Sequence, residues 1–252
     1  TTLFRSQSGV ALARLGLVQE AMEEWAALDL FRAAPEEVAW LQELRTAQGD
    51  WLGAHKWMQQ YLRVKAVGSL GPRAAQIVGI AFPDRYWEEV RTIASKYSYP
   101  PRAFHALVRE ESSFDKDIKS FAGARGLSQV MPATAQEVAG WLRMTVRTED
   151  LTDPRINLTL GTRYFESCVK THKGNLYLAM ASYNGGPARM SGYVRDWGNP
   201  PTDEYVERIP IRESREYIKK VSTSWQVMRF AHDTKDSPFP DLSAYNHYAW
   251  PP

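Results

Sequence analysis

Two adjacent glutamates, Glu110 and Glu111, are the side chains best placed for acid–base chemistry in this sequence. They lie near the end of the stretch PPRAFHALVREESSF. The two prolines that open this stretch predict a helix start, because proline fits the first helical position. Glu111 then continues the i, i+3, i+4, i+7 face formed by Phe104, Leu107 and Val108. Because a carboxylate is costly to ionise on an apolar face, we expect burial to raise the pKa of Glu111.

The helical wheel places Glu110 about 100° away from Glu111, toward the side that carries Arg102 and Arg109. We expect that side to be solvated and Glu110 to be an ordinary surface charge. A glutamate in the position of Glu111 can also be structural, reaching into water at a helix end. The wheel alone does not choose between a catalytic and a structural Glu111.

Composition narrows the class of protein. The 252 residues include 44% hydrophobic residues and carry a net charge of +2, which fits one large or two ordinary folded domains. Acidic and basic residues are interspersed and form no long basic run, so the sequence lacks the basic patch typical of nucleic-acid-binding proteins. No apolar run is long enough for a transmembrane segment, and the N-terminus lacks the pattern of a signal peptide. Since the sequence does not begin with Met, we expect a processed form or a fragment.

Metal and cofactor motifs are absent from the sequence. Cys168 is the single cysteine, so an internal disulfide is excluded and a buried apolar role is expected. The five histidines are scattered and form no HExxH or similar pair. We therefore expect no metal site and no cofactor.

Residues 1–82 have the pattern of a helical-hairpin repeat module. At an offset of 33 residues, near the period of helix–turn–helix repeats, small and apolar residues recur in matching positions. The matched pairs are Gly16 and Gly49, Ala21 and Ala54, Trp25 and Met58, and Leu28 and Tyr61. We expect two stacked hairpins, then a loop at Val67–Pro72 and a boundary near Phe82 and Pro83.

Residues 83–230 are predicted to form an all-α domain. Helical periodicity is clearest at 85–97, 132–146, 156–171, 176–184 and 215–230, and short extended pieces are expected within 200–211. Residues 231–252 change to a composition rich in proline and aromatics, AHDTKDSPFPDLSAYNHYAWPP. We expect an extended arm that packs at the seam between the repeat module and the all-α domain, the alternative being a disordered, flexible tail.

Four ordered motifs give the sequence a family resemblance. They are Glu111-Ser112 at a helix end, GLSQVMP at 126–132, SYNGG at 182–186 and ESREYI at 213–218. This order resembles the lysozyme-like, goose-type-like catalytic domain of soluble lytic transglycosylases, which follows a helical superhelix. Ser128 stands where the family usually has Met, which could alter one wall of the sugar groove, and Gly185 stands where Ala is common.

The resemblance implies roles for individual residues. Glu111 would be the catalytic acid and base. The saccharide subsites around it would be lined by Ser120, Gln129, Met131, Tyr183, Asn184, Glu213 and Tyr217. Several of these have structural alternatives, since Met131 can be core filler and Asn184 a helix stop.

The resemblance also implies an activity on peptidoglycan glycan strands in the periplasm, with cell-wall enzyme complexes as possible partners. Glu111 would cleave the bond between N-acetylmuramic acid and N-acetylglucosamine without water and leave a 1,6-anhydromuramoyl end. No second acid is obviously paired with it, whereas ordinary glycosidases need two carboxylates. The alternatives are a goose-type lysozyme that hydrolyses the same bond, and a non-catalytic wall-binding scaffold.

Overall fold

A computed structural model describes residues 2–27, 35–64 and 78–233. The structure is helical in these ranges and contains no named strand there; isolated bridges join Arg125 to Lys119 and to Val130. The all-α class predicted from the sequence is therefore confirmed. The chain forms two compact units, Thr1–Pro83 and Asp84–Pro252.

The first unit contains two helix–turn–helix pairs. Its helices are α1 (Thr2–Arg14), α2 (Val18–Ala26), α3 (Pro35–Ala47) and α4 (Trp51–Val64). Gly16 and Gly49 occupy the two turns with φ of 78° and 80°, a left-handed conformation that glycine adopts without steric cost. At these turns the 33-residue repeat is present as predicted.

Apolar residues at the repeat positions are buried in the first unit. Ala21, Trp25, Ala54, Met58 and Tyr61 are each at most 1% exposed. α1 also approaches α2 closely, since a Cβ added at Gly9 would lie 2.0 Å from the Trp25 indole nitrogen. Leu28 and the expected loop at 67–72 lie outside the described residues.

The second unit is a cluster of eight helices within the described residues. In chain order they are α5 (Trp87–Ala94), α6 (Pro101–Ser112), α7 (Pro132–Leu142), α8 (Pro154–Thr171), α9 (Leu176–Gly185), α10 (Pro187–Asp196), α11 (Thr202–Arg208) and α12 (Arg212–Met228). A 3₁₀ turn, Glu149–Thr152, precedes α8, and a π-helical turn, Arg229–Asp233, follows α12. The rest of the expected C-terminal arm, residues 234–252, lies outside the described residues.

Two short helices correct the sequence prediction. α11 occupies Thr202–Arg208, where extended pieces were expected, and α10 was not anticipated. Both helices begin at a proline signal, with Pro187 at the first position of α10 and Pro201 just before α11. The seven residues of α11 span only two turns, too few for a convincing 3.6-residue period, so periodicity could not identify that helix.

Local backbone geometry also shifts the ends of two predicted helices. α7 ends at Leu142 rather than at 146, because Arg143 adopts a left-handed φ of 56°. α8 begins at Pro154, two residues earlier than predicted, because the Asp153 side chain caps it by accepting a 2.9 Å hydrogen bond from Ile156 N. Cys168 of α8 is buried, as predicted.

α6 is buried on nearly every side, which overturns the expectation of a solvated face. Arg102 and Arg109 are only 3% and 2% exposed. Arg102 is neutralised by ion pairs with Asp84 and with Asp233, the latter at 2.6 Å. Its guanidinium also stacks 3.5 Å from the Trp87 ring centroid. α6 is thus a central helix whose two arginines are paired internally.

No helix in the described ranges has both the length and the apolar character needed to cross a membrane.

Candidate active site

α6 stops directly after Glu111 because Ser112 closes its last turn. The Ser112 hydroxyl donates to the Val108 carbonyl at 3.0 Å and accepts from Phe114 N at 3.1 Å. Ser113 and Phe114 then take left-handed φ values of 51° and 67° and end the helix. The carboxyl group of Glu111 therefore lies at the end of the central helix, half-buried rather than fully enclosed.

The carboxyl group of Glu111 accepts a 2.6 Å hydrogen bond from the Tyr217 hydroxyl of α12. Burial raises the pKa of Glu111 from its ordinary value of 4.5 to about 7. The bond from Tyr217 acts in the opposite direction, while the charges of Glu110 and Glu213 raise the pKa further. A carboxyl group with this pKa can both give and take a proton near neutral pH.

Glu110 is not the solvated surface charge that the wheel suggested. Its side chain is 15% exposed and forms a salt bridge with Arg109. Ser224 of α12 donates a further hydrogen bond to Glu110 Oε1 at 2.5 Å. The two adjacent glutamates therefore differ, as expected, but the reason is not solvent exposure. Glu110 is held in an ion pair with Arg109, whereas Glu111 accepts a hydrogen bond from Tyr217.

The loop 113–131 between α6 and α7 carries three of the predicted sugar-contacting residues. The Ser120 hydroxyl accepts from Ala124 N at 3.0 Å and stabilises a turn. Gln129, at a left-handed φ of 47°, donates from its side-chain amide to the Gly126 carbonyl at 2.9 Å. Met131 is 40% exposed, so it is not the core filler considered as an alternative.

Asn157 of α8 holds this loop in place. It is fully buried, and its amide nitrogen donates to the carbonyls of Arg125 and Leu151, at 2.8 Å each. Its amide oxygen accepts from Ser128 N at 2.8 Å and from Ser128 Oγ at 2.7 Å. Three of these bonds tie the loop to the start of α8, and the fourth ties the 3₁₀ turn at Leu151 to it; no motif in the sequence identified Asn157.

Ser128 is turned into the protein, which corrects the expectation that it alters a wall of the groove. Its side chain is fully buried and bonds to Asn157. A Cβ at Gly161 would lie 2.2 Å from Ser128 Oγ, so α8 approaches the loop closely here. Only the carbonyl of Ser128 reaches a predicted site residue, accepting a 2.8 Å hydrogen bond from the Tyr183 hydroxyl.

The C-terminal end of α9 contributes Tyr183 and Asn184. The Tyr183 ring packs 5.2 Å from the ring of Tyr164. Burial raises the pKa of Tyr183 well above its ordinary value, and the neighbouring Glu111 is the next cause of the increase. Asn184 is exposed, and its amide oxygen accepts a 2.7 Å hydrogen bond from Ser214 of α12.

α12 contributes Glu213 and Tyr217 from its first turns. Glu213 is exposed and acts on Glu111 through its charge, whereas Tyr217 bonds to Glu111 directly. The predicted residues therefore divide into two sets. Tyr217, Tyr183 and Glu213 contact or electrostatically influence Glu111, while the side-chain hydrogen bonds of Ser120 and Gln129 stay within their own loop.

The described residues contain no group of three or more histidine, cysteine, aspartate or glutamate side chains that could hold a metal ion.

Comparison with known proteins finds a family model that matches part of the second unit. Residues 88–206 match the family model described as "Transglycosylase SLT domain". The match ends before α12, so Glu213 and Tyr217 lie outside it. Among curated proteins, the soluble lytic murein transglycosylase of Escherichia coli K12 is 28% identical over 208 residues, covering 80% of this chain and 30% of that protein. A putative soluble lytic murein transglycosylase of Haemophilus influenzae is 29% identical over 165 residues, covering 65% and 28%.

Solved structures support the same fold. The inactive E503Q mutant of the lytic transglycosylase Slt from Pseudomonas aeruginosa matches with a TM-score of 0.68 at 24% identity, over 92% of this chain and 36% of that one. The chain spans about a third of the length of these relatives.

Proposed function

We propose that this chain is a lytic transglycosylase of the transglycosylase SLT family, which cleaves the glycan strands of peptidoglycan with Glu111 as acid and then base. One observation carries the proposal: Glu111 is a half-buried carboxyl group whose pKa is raised to about 7 and whose hydrogen-bond partner is Tyr217. The names of the relatives supply the substrate class, murein.

In the proposed reaction, protonated Glu111 gives its proton to the oxygen that links N-acetylmuramic acid to N-acetylglucosamine. The C1–O bond breaks while the N-acetyl oxygen of the muramic acid residue bonds to C1. The Glu111 carboxylate then takes the proton of the 6-hydroxyl group, whose oxygen displaces the N-acetyl oxygen from C1. Glu111 is protonated again, no water is consumed, and the product is a 1,6-anhydromuramoyl end.

The surroundings of Glu111 support a single-carboxylate mechanism. An ordinary glycosidase needs a second carboxylate facing the scissile bond. Glu110 is occupied by Arg109 and Ser224. Glu213 is exposed and influences Glu111 electrostatically, so it is the residue that a two-carboxylate hydrolase would use.

Mass spectrometry of muropeptides released from purified sacculi tests the reaction. We expect anhydromuramoyl ends. Reducing ends would instead identify a lysozyme-like hydrolase, and no release would favour a wall-binding scaffold. Glu111→Gln should lower turnover on the order of 10²- to 10⁴-fold, the usual contribution of general acid–base catalysis. Glu213→Gln is the matched variant: it should leave most of the turnover in the one-glutamate mechanism and abolish it in a two-carboxylate hydrolase.

We propose a periplasmic location, because the proposed substrate is peptidoglycan, and cell-wall enzyme complexes as partners. Fractionation of cells that produce the full-length protein would test the location. Recovery in the cytoplasm would contradict it.

A further inference from the structure

We propose that Ser224 and Glu110 form a positioning clamp that fixes α12 against α6 and thereby holds Tyr217 at Glu111. Ser224 and Glu110 are positioning residues in this view, since they act through Tyr217 and touch no substrate. The functional meaning of the clamp rests on the proposed role of Glu111 as acid and base.

The geometry that supports the clamp is a pair of parallel connections between two helices. Consecutive glutamates of α6 each accept a hydroxyl from α12: Glu110 from Ser224 at 2.5 Å and Glu111 from Tyr217 at 2.6 Å. Ser224 and Tyr217 are seven residues apart, which is two helical turns, so they lie on the same face of α12. A slide or rotation of α12 that breaks one connection must therefore displace the other.

The two connections differ in charge pairing, and this difference assigns their roles. Ser224 is 4% exposed and Arg109 is 2% exposed. Arg109 Nη1 pairs with Glu110 and also donates to Ser224 Oγ at 3.2 Å, so the three groups form a closed triangle. Charge-assisted hydrogen bonds in such a protected setting are strong. The bond from Tyr217 to Glu111 is instead a single hydrogen bond without a salt bridge beside it in the described residues, so its alignment depends on the triangle.

The charges around Glu111 determine the effect of loosening the clamp. Glu110 on α6 and Glu213 on α12 raise the pKa of Glu111, and Tyr217 on α12 lowers it by bonding to the ionised form. Tyr183 on α9 also faces Glu111 electrostatically. If the bond from Tyr217 lengthens while the other groups stay, the ionised form loses its donor and the titration of Glu111 moves to higher pH.

Ser224→Ala is the first test, made in the whole chain. The carboxyl group of Glu111 is followed by ¹³C NMR between pH 4 and pH 9, with the Glu111→Gln spectrum used to assign its signal. We expect the titration midpoint of Glu111 to rise by about 0.5 to 1 pH unit. This is smaller than the shift expected if the hydrogen bond from Tyr217 to the charged carboxylate were lost completely. Ser224→Thr keeps the hydroxyl and should restore the midpoint.

Ser222→Ala is the matched control on the same helix. The Ser222 hydroxyl bonds to the Ile218 and Lys219 carbonyls of α12 itself and not to α6. Its removal should leave the titration of Glu111 unchanged. Kinetics on glycan strands provide a second measurement. We expect Ser224→Ala to lower kcat severalfold with little change in KM.

Glu110→Asp provides a second variant if Ser224→Ala does not fold. It retains the charge beside Arg109 but shortens the side chain, so the bond from Ser224 is lost and the midpoint should again rise. An unchanged midpoint in the folded variant overturns the clamp, even if that variant melts at a lower temperature. The titration needs no substrate, so this outcome is distinct from a failure of the proposed function, which the muropeptide products report.

Discussion

The hydroxyl of Tyr217 donates a 2.6 Å hydrogen bond to Glu111 Oε1, joining residues 106 positions apart in sequence. The bond connects the end of the central helix α6 to the first turns of α12. It stabilises the ionised carboxylate and partly offsets the burial that raises the pKa of Glu111 to about 7. The same carboxyl group is thereby poised to donate a proton and to accept one.

Tyr217→Phe should raise the pKa of Glu111 by about 1 to 2, because a hydrogen bond to a charged group contributes about 1.5–3 kcal/mol. NMR titration of the Glu111 carboxyl group measures the change. Tyr193→Phe, a tyrosine of α10, serves as the control and should have no effect. A pKa that stays constant or falls in Tyr217→Phe would show that the bond does not stabilise the charge.

The rate of glycan cleavage should fall as pH rises through about 7, because the first step of the proposed reaction requires protonated Glu111. Initial rates of muropeptide release between pH 5 and pH 9 test this dependence. Above the pKa, kcat/KM should decrease about tenfold for each pH unit. A rate that keeps increasing to pH 9 would contradict the assignment of Glu111 as the proton donor.

Glu111→Gln should stabilise the second unit at pH 7 and above. Well below pH 4.5, Glu111 is protonated in both the folded and the unfolded protein. As the pH rises from about 4.5 to about 7, Glu111 keeps this proton in the folded protein and loses it in the unfolded protein. Wild-type stability therefore falls across this window and stays lowered above it. Glu111→Gln carries no charge at this position and therefore avoids the loss of folding free energy, on the order of 1–3 kcal/mol, that ionising Glu111 causes.

Thermal melting at pH 4 and pH 8 measures this difference. We expect equal melting temperatures at pH 4 and a variant that melts several degrees higher at pH 8. Glu213→Gln, at an exposed position, is the control and should change stability by no more than about 0.5 kcal/mol. A Glu111→Gln protein that melts lower at pH 8 would mean that the carboxylate is fully satisfied in the fold.

Glu110→Gln should destabilise the second unit by about 3–5 kcal/mol, because buried Arg109 would lose its ionic partner. Urea unfolding measures this loss. Glu204→Gln is the comparison, since Glu204 pairs with Arg208 at 2.9 Å with about half of each side chain exposed, and such a pair contributes at most about 0.5 kcal/mol. Equal effects of the two changes would argue against a buried role for Glu110.

The sequence predicted those features that depend on neighbouring residues. The start of α6 at Pro101 follows from proline geometry, and the raised pKa of Glu111 follows from its place on an apolar face. The turns at Gly16 and Gly49 follow from the repeat. Each conclusion needs a window of only a few turns, which is the range over which periodicity is informative.

Features that depend on distant residues were missed or misread. Arg102 looks solvated on a wheel, yet it is buried against Asp233, 131 positions away. Glu110 is satisfied by Ser224, 114 positions away. The burial of Ser128 depends on Asn157, which no motif distinguishes. Pairings of this kind are fixed by how helices pack, and a single sequence does not record that packing.

Asn157 offers the last prediction, which concerns the loop that carries Ser120, Gln129 and Met131. Asn157→Asp keeps the oxygen that accepts from Ser128. It replaces the amide nitrogen, which donates to the carbonyls of Arg125 and Leu151, with a second oxygen that cannot donate when the carboxyl group is ionised. The Arg125 carbonyl still accepts from Val130 N at 3.2 Å, whereas the buried Leu151 carbonyl loses the donor from Asn157, which costs about 1–3 kcal/mol. We therefore expect a loss of about 1–3 kcal/mol in the free energy of unfolding, measured with urea.

The same variant should expose the loop to trypsin at Lys119 and Arg125, because its connection to α8 is weakened. Limited proteolysis under native conditions, followed by mass spectrometry, identifies the cleavage sites. Thr152→Ala, which removes an exposed hydroxyl that bonds to the Glu149 carbonyl at 3.1 Å, is the control and should not increase cleavage. If Asn157→Asp unfolds at the wild-type urea concentration and resists trypsin equally, the loop is held by its own turns, and Asn157 does not determine the placement of Gln129 and Met131.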